Sequence, residues 1–241
     1  MSEPIDRQPF LDVLQPPTRR GLHEMVLAQL LEAIRTGQIK QGDRLLEVDI
    51  AERLGMSRGI VREAIRRLEQ EGLVVSQPHR GTFITRLTGQ DAIEIFALRR
   101  LLEAFAVRLA ASRISERELD QLAKIAGAMV GASERGDRLE RVGLDLQFHE
   151  QLCVFSGYTH LHRLWSGLTL KLWLIYFDQR SHSGPDLVGR AASHFDLIEM
   201  LRVRDAPAAV AWIESHIDVR AERALADLTA PNDKSAVLAA E

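Results

Sequence analysis

Apolar residues recur at helical spacing along most of the chain, and the interruptions in that rhythm divide it into elements. Ile50, Ala51 and Leu54 form one apolar stripe. Gly55 follows as a helix-ending residue, where a left-handed turn is nearly free only for glycine. Ser57 stands at the N-cap of the next helix, with a hydroxyl suited to an orphan backbone N–H. In that helix Val61, Ala64, Ile65 and Leu68 face inward, while Arg58, Arg62 and Arg66 recur every four residues on another face. Gly72 closes it. Leu73–Ser76 and Thr82–Thr85 are β-prone runs flanking a turn-rich tip, Gln77–Gly81. Helix, tight turn, basic helix and hairpin together predict a winged helix-turn-helix.

After a short linker at 87–90 the period is helical almost to the end. The pattern predicts helices at 91–113, 115–134, 138–156, 159–180, 186–204 and 206–229. Breaks fall at Ser115, at Gly136 and Asp137, at Gly157, around Ser181–Pro185, and at Asp205–Pro207. Six such helices predict an antiparallel bundle, a fold that builds ligand sites from side chains on facing helices. Residues 1–17, with Pro4, Pro9, Pro16 and Pro17, read as a loose arm, and 230–241 as a flexible tail. The fold class is therefore mainly α. A winged helix-turn-helix at 18–86 precedes an all-α domain at 91–229.

Composition narrows the setting. The chain has 241 residues, 46% of them hydrophobic, enough for two packed domains. One cysteine precludes an internal disulfide, and the start lacks the basic-then-apolar pattern of a secretory signal, so a cytoplasmic location is expected. The longest apolar run, Leu172–Phe177, is too short to span a bilayer, so no membrane association is expected. The net charge of −3 argues against nucleic acid until its distribution is considered. Residues 18–86 hold 12 Lys+Arg against 9 Asp+Glu, whereas 87–241 hold 18 against 22. The basic excess coincides with the helix-turn-helix.

That coincidence points to DNA. A helix fits the major groove, and an arginine fork can bond guanine O6 and N7 together or grip a phosphate. The expected contacts are Ser57, Arg58, Gly59, Arg62 and Arg66, with Arg80, Gly81 and Thr82 on the wing. A solvated amphipathic helix would carry the arginines alone, without the cap, the turn and the basic wing tip.

A second constellation lies in the bundle. Asp145 and His149 are four apart, on one helical face. His194 and His216 each lie about 11 residues, or about 16 Å of helix, from the break at Asp205–Pro207. A helical hairpin there brings both to one level. One carboxylate and three imidazoles suit zinc, nickel, cobalt or manganese. Taken singly, each histidine is more readily a hydrogen-bonded core or surface residue than a ligand, and His160, His162 and His182, in or near connections, fit that plainer reading.

The residues carry a resemblance. The N-terminal part is similar to the DNA-binding domain of GntR-family bacterial transcription regulators. The matching features are a helix near 19–36, the turn Gly42-Asp43, Ser57-Arg58, Val61-Arg62-Glu63-Ala64, Leu68 with Gly72-Leu73, and Arg80-Gly81-Thr82. Gly59-Ile60 departs from the family's Thr-Pro, so a proline that pre-sets the first helical turn is absent. Residues 91–229 resemble the helical FCD-type effector domain of the FadR-like subgroup. The carrying motifs are Arg99-x-x-x-Glu103, Asp145-x-x-x-His149, His194 followed by Asp205 and Ala208-Ala209, and His216.

The resemblance implies that Asp145, His149, His194 and His216 hold a divalent metal, with zinc, nickel or manganese as the candidates. It also implies that the metal helps hold a small carboxylate effector. Arg99 either pairs with that carboxylate or is satisfied by Glu103 one turn on. The resulting expectation is a ligand-responsive regulator, most simply a repressor, binding a palindromic operator as a homodimer. Two alternatives stay open: a metal-independent regulator of acyl-coenzyme A type, and a metal-dependent hydrolase.

Overall fold

A computed structural model describes residues 21–178 and 186–229. The predicted arm at 1–17, the tail at 230–241, the break at Ser181–Pro185 and His182 lie outside the described residues. The N-terminal part runs α1 (Leu22–Arg35), β1 (Arg44–Leu45), α2 (Glu47–Leu54), α3 (Arg58–Gln70), β2 (Val74–Gln77) and β3 (Gly81–Ile84). Val26, Leu30 and Ile34 of α1 pack with Val61, Ala64, Ile65 and Leu68 of α3 in its core. Gly55 ends α2 at φ 62° and Gly72 follows α3 at φ 70°, the left-handed positions the pattern required.

The wing is a three-stranded antiparallel sheet in the order β1-β3-β2, with Val74 opposite Ile84 and Leu45 opposite Thr82. The pattern missed β1, since two residues are too few to show alternation. Gly42 explains why the strand forms there. At φ 82° it turns the chain so that its N–H donates to the Ile84 carbonyl, and Ile84 N–H returns a bond to the Asp43 carbonyl.

The bundle comprises α4 (Gly89–Ala111), α5 (Glu116–Glu134), α6 (Arg138–Phe155), α7 (Thr159–Asp178), α8 (Leu187–Ala192), α9 (His194–Arg202) and α10 (Ala206–Thr229). Caps set three of the starts. Thr88 and Asp91 form a capping box on α4, Ser115 and Glu118 form one on α5, and the Asp137 side chain accepts from Glu140 N–H on α6. Because Thr88 caps it, α4 begins inside the segment read as a linker. The predicted 186–204 helix is two helices. At Ser193 the hydroxyl donates to the Arg190 carbonyl, and Asp196 N–H reaches back only three residues to the Ser193 carbonyl. This side-chain competition for backbone carbonyls breaks the ladder. The α4 helix lies most extensively against α10, and α5 against α6.

Gln41 joins the two parts. Its side-chain carbonyl accepts from Leu87 N–H at 2.7 Å, and its amide donates to the Leu174 carbonyl of α7 at 3.1 Å. Among the described residues no helix is long and apolar enough to cross a membrane.

Candidate functional site

On α3 the expected DNA-facing residues Ser57, Arg58, Gly59, Arg62 and Arg66 are all exposed. Ser57 occupies the N-cap with extended backbone, but its side chain makes no cap hydrogen bond, contrary to the expected capping role. The helix start is held instead by backbone bonds from Ile60 and Val61 N–H to the Ser57 carbonyl, so the hydroxyl is not spent on the cap. Arg62 is paired. Its Nε and Nη2 donate to both oxygens of Glu47 on α2 at 2.8–3.1 Å. That bond, opposed by slight burial and aided by the nearby Arg62, Arg58 and Arg66 charges, holds the Glu47 carboxyl below its ordinary range. At the wing tip Arg80 is exposed beside His79 at φ 63°, with Gly81 and Thr82 half-buried.

The bundle brings its four candidates together. Asp145 and His149 come from α6, His194 opens α9 immediately after the break, and His216 lies within α10. One potential ligand atom from each lies within 4.8 Å of all the others. The α9–α10 turn that makes this possible is closed by the Asp205 side chain, which accepts from Ala208 N–H at 3.0 Å.

The orientation of two of the rings, His149 and His194, follows from the second nitrogen. His149 Nδ1 donates to Glu103 Oε2 at 2.6 Å, and His194 Nδ1 faces the Ala191 and Arg190 carbonyls at 3.1 and 3.2 Å. A nitrogen facing a carboxylate or carbonyl carries the proton, which leaves the Nε2 lone pair bare. His149 Nε2, His194 Nε2 and Asp145 Oδ2 are buried without a hydrogen-bond partner. Three orphaned acceptors pointing at one place are costly unless a cation sits among them. The donor set of one carboxylate and three imidazoles, with the His149 and His194 rings braced from behind, fits a borderline divalent ion.

Electrostatics keep His149, His216 and Asp145 in the ligating form. Burial pushes the His149 imidazolium down, to about 4, against the upward pull of Glu103. His216 lies well below its usual value through burial and the adjoining Arg220. Burial alone would raise Asp145, but Arg220 and the histidines hold its carboxyl well below the usual range.

Arg99 is not on the cavity wall. It is fully buried, its Nε donates to Glu103 Oε1 at 2.6 Å, and its Nη1 donates to the Tyr176 hydroxyl. Trp165 Nε1 also donates to Glu103 Oε1, at 2.7 Å. Burial would raise Glu103, yet Arg99 and His149 outweigh it and hold its carboxyl at about 2. The sequence pattern therefore missed the part played by Glu103: it is a buried anion that orients His149 and neutralises Arg99. Of the two readings of Arg99, the geometry displays the ion pair. Cys153 packs with Ala106, Leu161 and Trp165, and burial pushes its thiol up, so it is inert. His162 is occupied by Glu150 at 2.9 Å, and His160 is exposed.

Beside His216 lies a cavity of about 370 Å³. Its described walls include Arg141, Arg190, Arg220 and Arg223, with Tyr176 and Trp212, and no Asp or Glu is among them. Arg141 is 7% exposed and its Nη2 is buried with no partner. These arginines escaped notice in the sequence, although a signal was present. Arg141, Asp145 and His149 repeat every four residues on α6, as His216 and Arg220 do on α10. Polar stripes on buried helix faces are rare outside sites.

A winged helix-turn-helix with a basic exposed helix, joined to a helical domain built around an internal polar site, defines a DNA-binding transcription regulator. Comparison makes that specific. Residues 22–84 match the gntR family of bacterial regulatory proteins, and residues 94–219 match the FCD domain. The chain belongs to the GntR family, with an FCD domain of the FadR-like kind, and is a transcription regulator rather than an enzyme. It is similar to the HTH-type transcriptional regulator YdhC of Bacillus subtilis, 38% identical over 137 residues, 56% of this chain and 61% of that protein. It is also similar to a protein of Paenarthrobacter nicotinovorans named "Probable D-xylose utilization operon transcriptional repressor". That match is 28% identical over 200 residues, covering 83% of this chain and 87% of the relative. A GntR transcriptional regulator from Rhodococcus sp. RHA1 shares the fold at a TM-score of 0.74 with 23% identity, over 84% of this chain and 97% of that structure.

Proposed function

We propose that the chain is a metal-containing repressor whose hold on a palindromic operator changes when a small organic acid enters the bundle. The observation that carries this reading is the pair of adjoining features in one domain: three buried acceptor atoms without partners, and an arginine-walled cavity on which Arg141 has a buried Nη2 with no hydrogen-bond partner. The first suits a divalent cation at Asp145, His149, His194 and His216, with zinc, nickel or manganese as the candidates. The second suits an acid, because a desolvated guanidinium gains most from a planar carboxylate. A bound divalent ion supplies fixed positive charge at the end of the cavity. Arg141 receives the acid, and Arg99 acts through Glu103, holding His149 in its ligating orientation.

On the DNA side, Arg58 and Arg62 read bases, Arg66 meets phosphate, and Ser57, Gly59, Arg80, Gly81 and Thr82 complete the contact surface. Arg62 exchanges its Glu47 fork for a guanine or phosphate when DNA arrives. A homodimer supplies two half-sites. Leu98, Leu101 and Phe105 make an exposed apolar stripe along α4, beside the exposed Tyr158 and Leu164 at the start of α7, and a second copy would cover it. Repression is the sign carried by the name of the Paenarthrobacter relative. The effector's differential affinity for two placements of the reading heads does the switching. The Gln41 joint to α7, the helix that also bears Tyr176, is the route from cavity to head.

The test is elemental analysis of protein purified without chelator, followed by thermal shift with sugar acids, hydroxy acids and dicarboxylates, with and without chelator. His149→Ala and His194→Ala should lose the metal and its stabilisation, which is about 4 kcal/mol at a thousandfold excess over Kd. Protein that carries no divalent ion and cannot be loaded with zinc, nickel or manganese would refute the metal reading.

A further inference from the structure

Three of the four candidate ligands present a spare acceptor atom, and His216 differs. Its Nε2 accepts from Arg220 Nε at 3.2 Å, while Arg220 Nη2 also donates to Asp145 Oδ1. Arg220 is one turn beyond His216 on α10, its side chain is only 17% exposed, and it lines the arginine cavity. A guanidinium thus lies where one edge of the ligand set needs positive charge. It bridges the carboxylate and the imidazole that borders the cavity. We propose that Arg220 is an internal occupant of the centre, in competition with the divalent ion for His216 and Asp145, and that it hands those groups over and turns its fork into the cavity when the ion binds. This rests on the metal reading above.

Two physical reasons support the exchange. A lone pair cannot serve an N–H donor and a metal together, so His216 Nε2 must be released by Arg220 before it can ligate. A dication beside the guanidinium also adds like-charge repulsion that only movement relieves. Asp145 can serve the ion through Oδ2, which has no partner, so the hand-over at His216 is the decisive one. The freed fork then faces the same space as Arg141, Arg190 and Arg223. Metal binding thereby adds an anion receptor to the cavity, and by linkage an acid held there strengthens the metal. The Tyr176 ring, its centre 5.8 Å from Arg220 Cζ, already attracts the guanidinium from the cavity side.

The experiment is a zinc titration of the full chain against a competing chelator, comparing wild type with Arg220→Ala, Arg220→Gln and His149→Ala. Removal of an internal competitor should tighten zinc binding by about 5–150-fold, the usual span of such coupling, in both Arg220 variants. His149→Ala should lose it. In parallel, the Arg220 Nε–Hε resonance of the wild type, assigned by its disappearance in Arg220→Lys, should shift on zinc saturation. Equal or weaker zinc binding in a folded Arg220 variant, or an unmoved resonance, would make Arg220 a fixed brace for Asp145 and overturn the exchange. A wild type that takes no zinc, nickel or manganese would instead remove the metal reading on which the exchange depends.

Discussion

The two halves of this regulator handle charge in opposite ways. In the reading head the arginines of α3 stand on the surface, and Arg62 shares a solvent-exposed fork with Glu47. In the bundle Arg99, Glu103, Asp145, His149 and His194 are all 0–1% exposed and depend on one another. Surface charge costs the fold almost nothing and stays free to exchange partners. Buried charge is structural as well as functional, because losing one partner strands the other. The head is therefore expected to tolerate mutation of its site without loss of stability, and the bundle is not.

The sharpest way to break this contrast is Glu103→Gln. It leaves Arg99 buried with no counter-ion and His149 with a weaker brace, and metal-free protein should lose about 3–5 kcal/mol in urea unfolding. Metal affinity should fall about 10–100-fold as well. A loss below about 1 kcal/mol, the scale of an exposed pair, would mean that the buried network is no more demanding than the surface one.

Arg62→Ala should do the reverse. Operator affinity should drop roughly 5–150-fold with relaxed preference at one base, and the melting temperature should be unchanged. Unaltered operator binding in both Arg58→Ala and Arg62→Ala would refute the placement of α3 as the reading helix. A smaller effect comes from Ser115→Ala, which removes the α5 capping box and should cost about 1 kcal/mol without touching metal or DNA.

Acid supplies a further test. The His149 imidazole lies at about 4 in the fold against 6.5 outside it, so between those values the unfolded chain binds a proton that the native one refuses. Stability of the metal-free protein should be flat above pH 6.5, fall as pH drops toward 4, and gain no further loss from this group below that. The isolated head at 18–86 contains no such buried histidine among its described residues and should show no matching decline over that window.

Much of the head was legible in the sequence because its signals are short-range. Gly55 and Gly72 mark left-handed turns, Arg58, Arg62 and Arg66 keep helical spacing, and the hairpin runs flank a turn-rich tip. The exceptions were β1, which exists only through its pairing with β3, and the free hydroxyl of Ser57, whose cap the backbone replaces. In the bundle the four candidate ligand residues and the Asp205 turn were readable, but the split at Ser193 was not, since it depends on which carbonyl a hydroxyl and an imidazole select.

By itself, then, the sequence determined which segments are helical, where most of them stop, and that Asp145 and His149 share a face, because period, caps and turn residues act over a few positions. Only the tertiary structure decided that Glu103 braces His149, that Arg99 belongs to Glu103, that Arg220 holds His216, and that four arginines surround one cavity. Those outcomes depend on how α4, α6, α7, α9 and α10 cross one another, and crossing angles are set by packing among residues far apart in the chain.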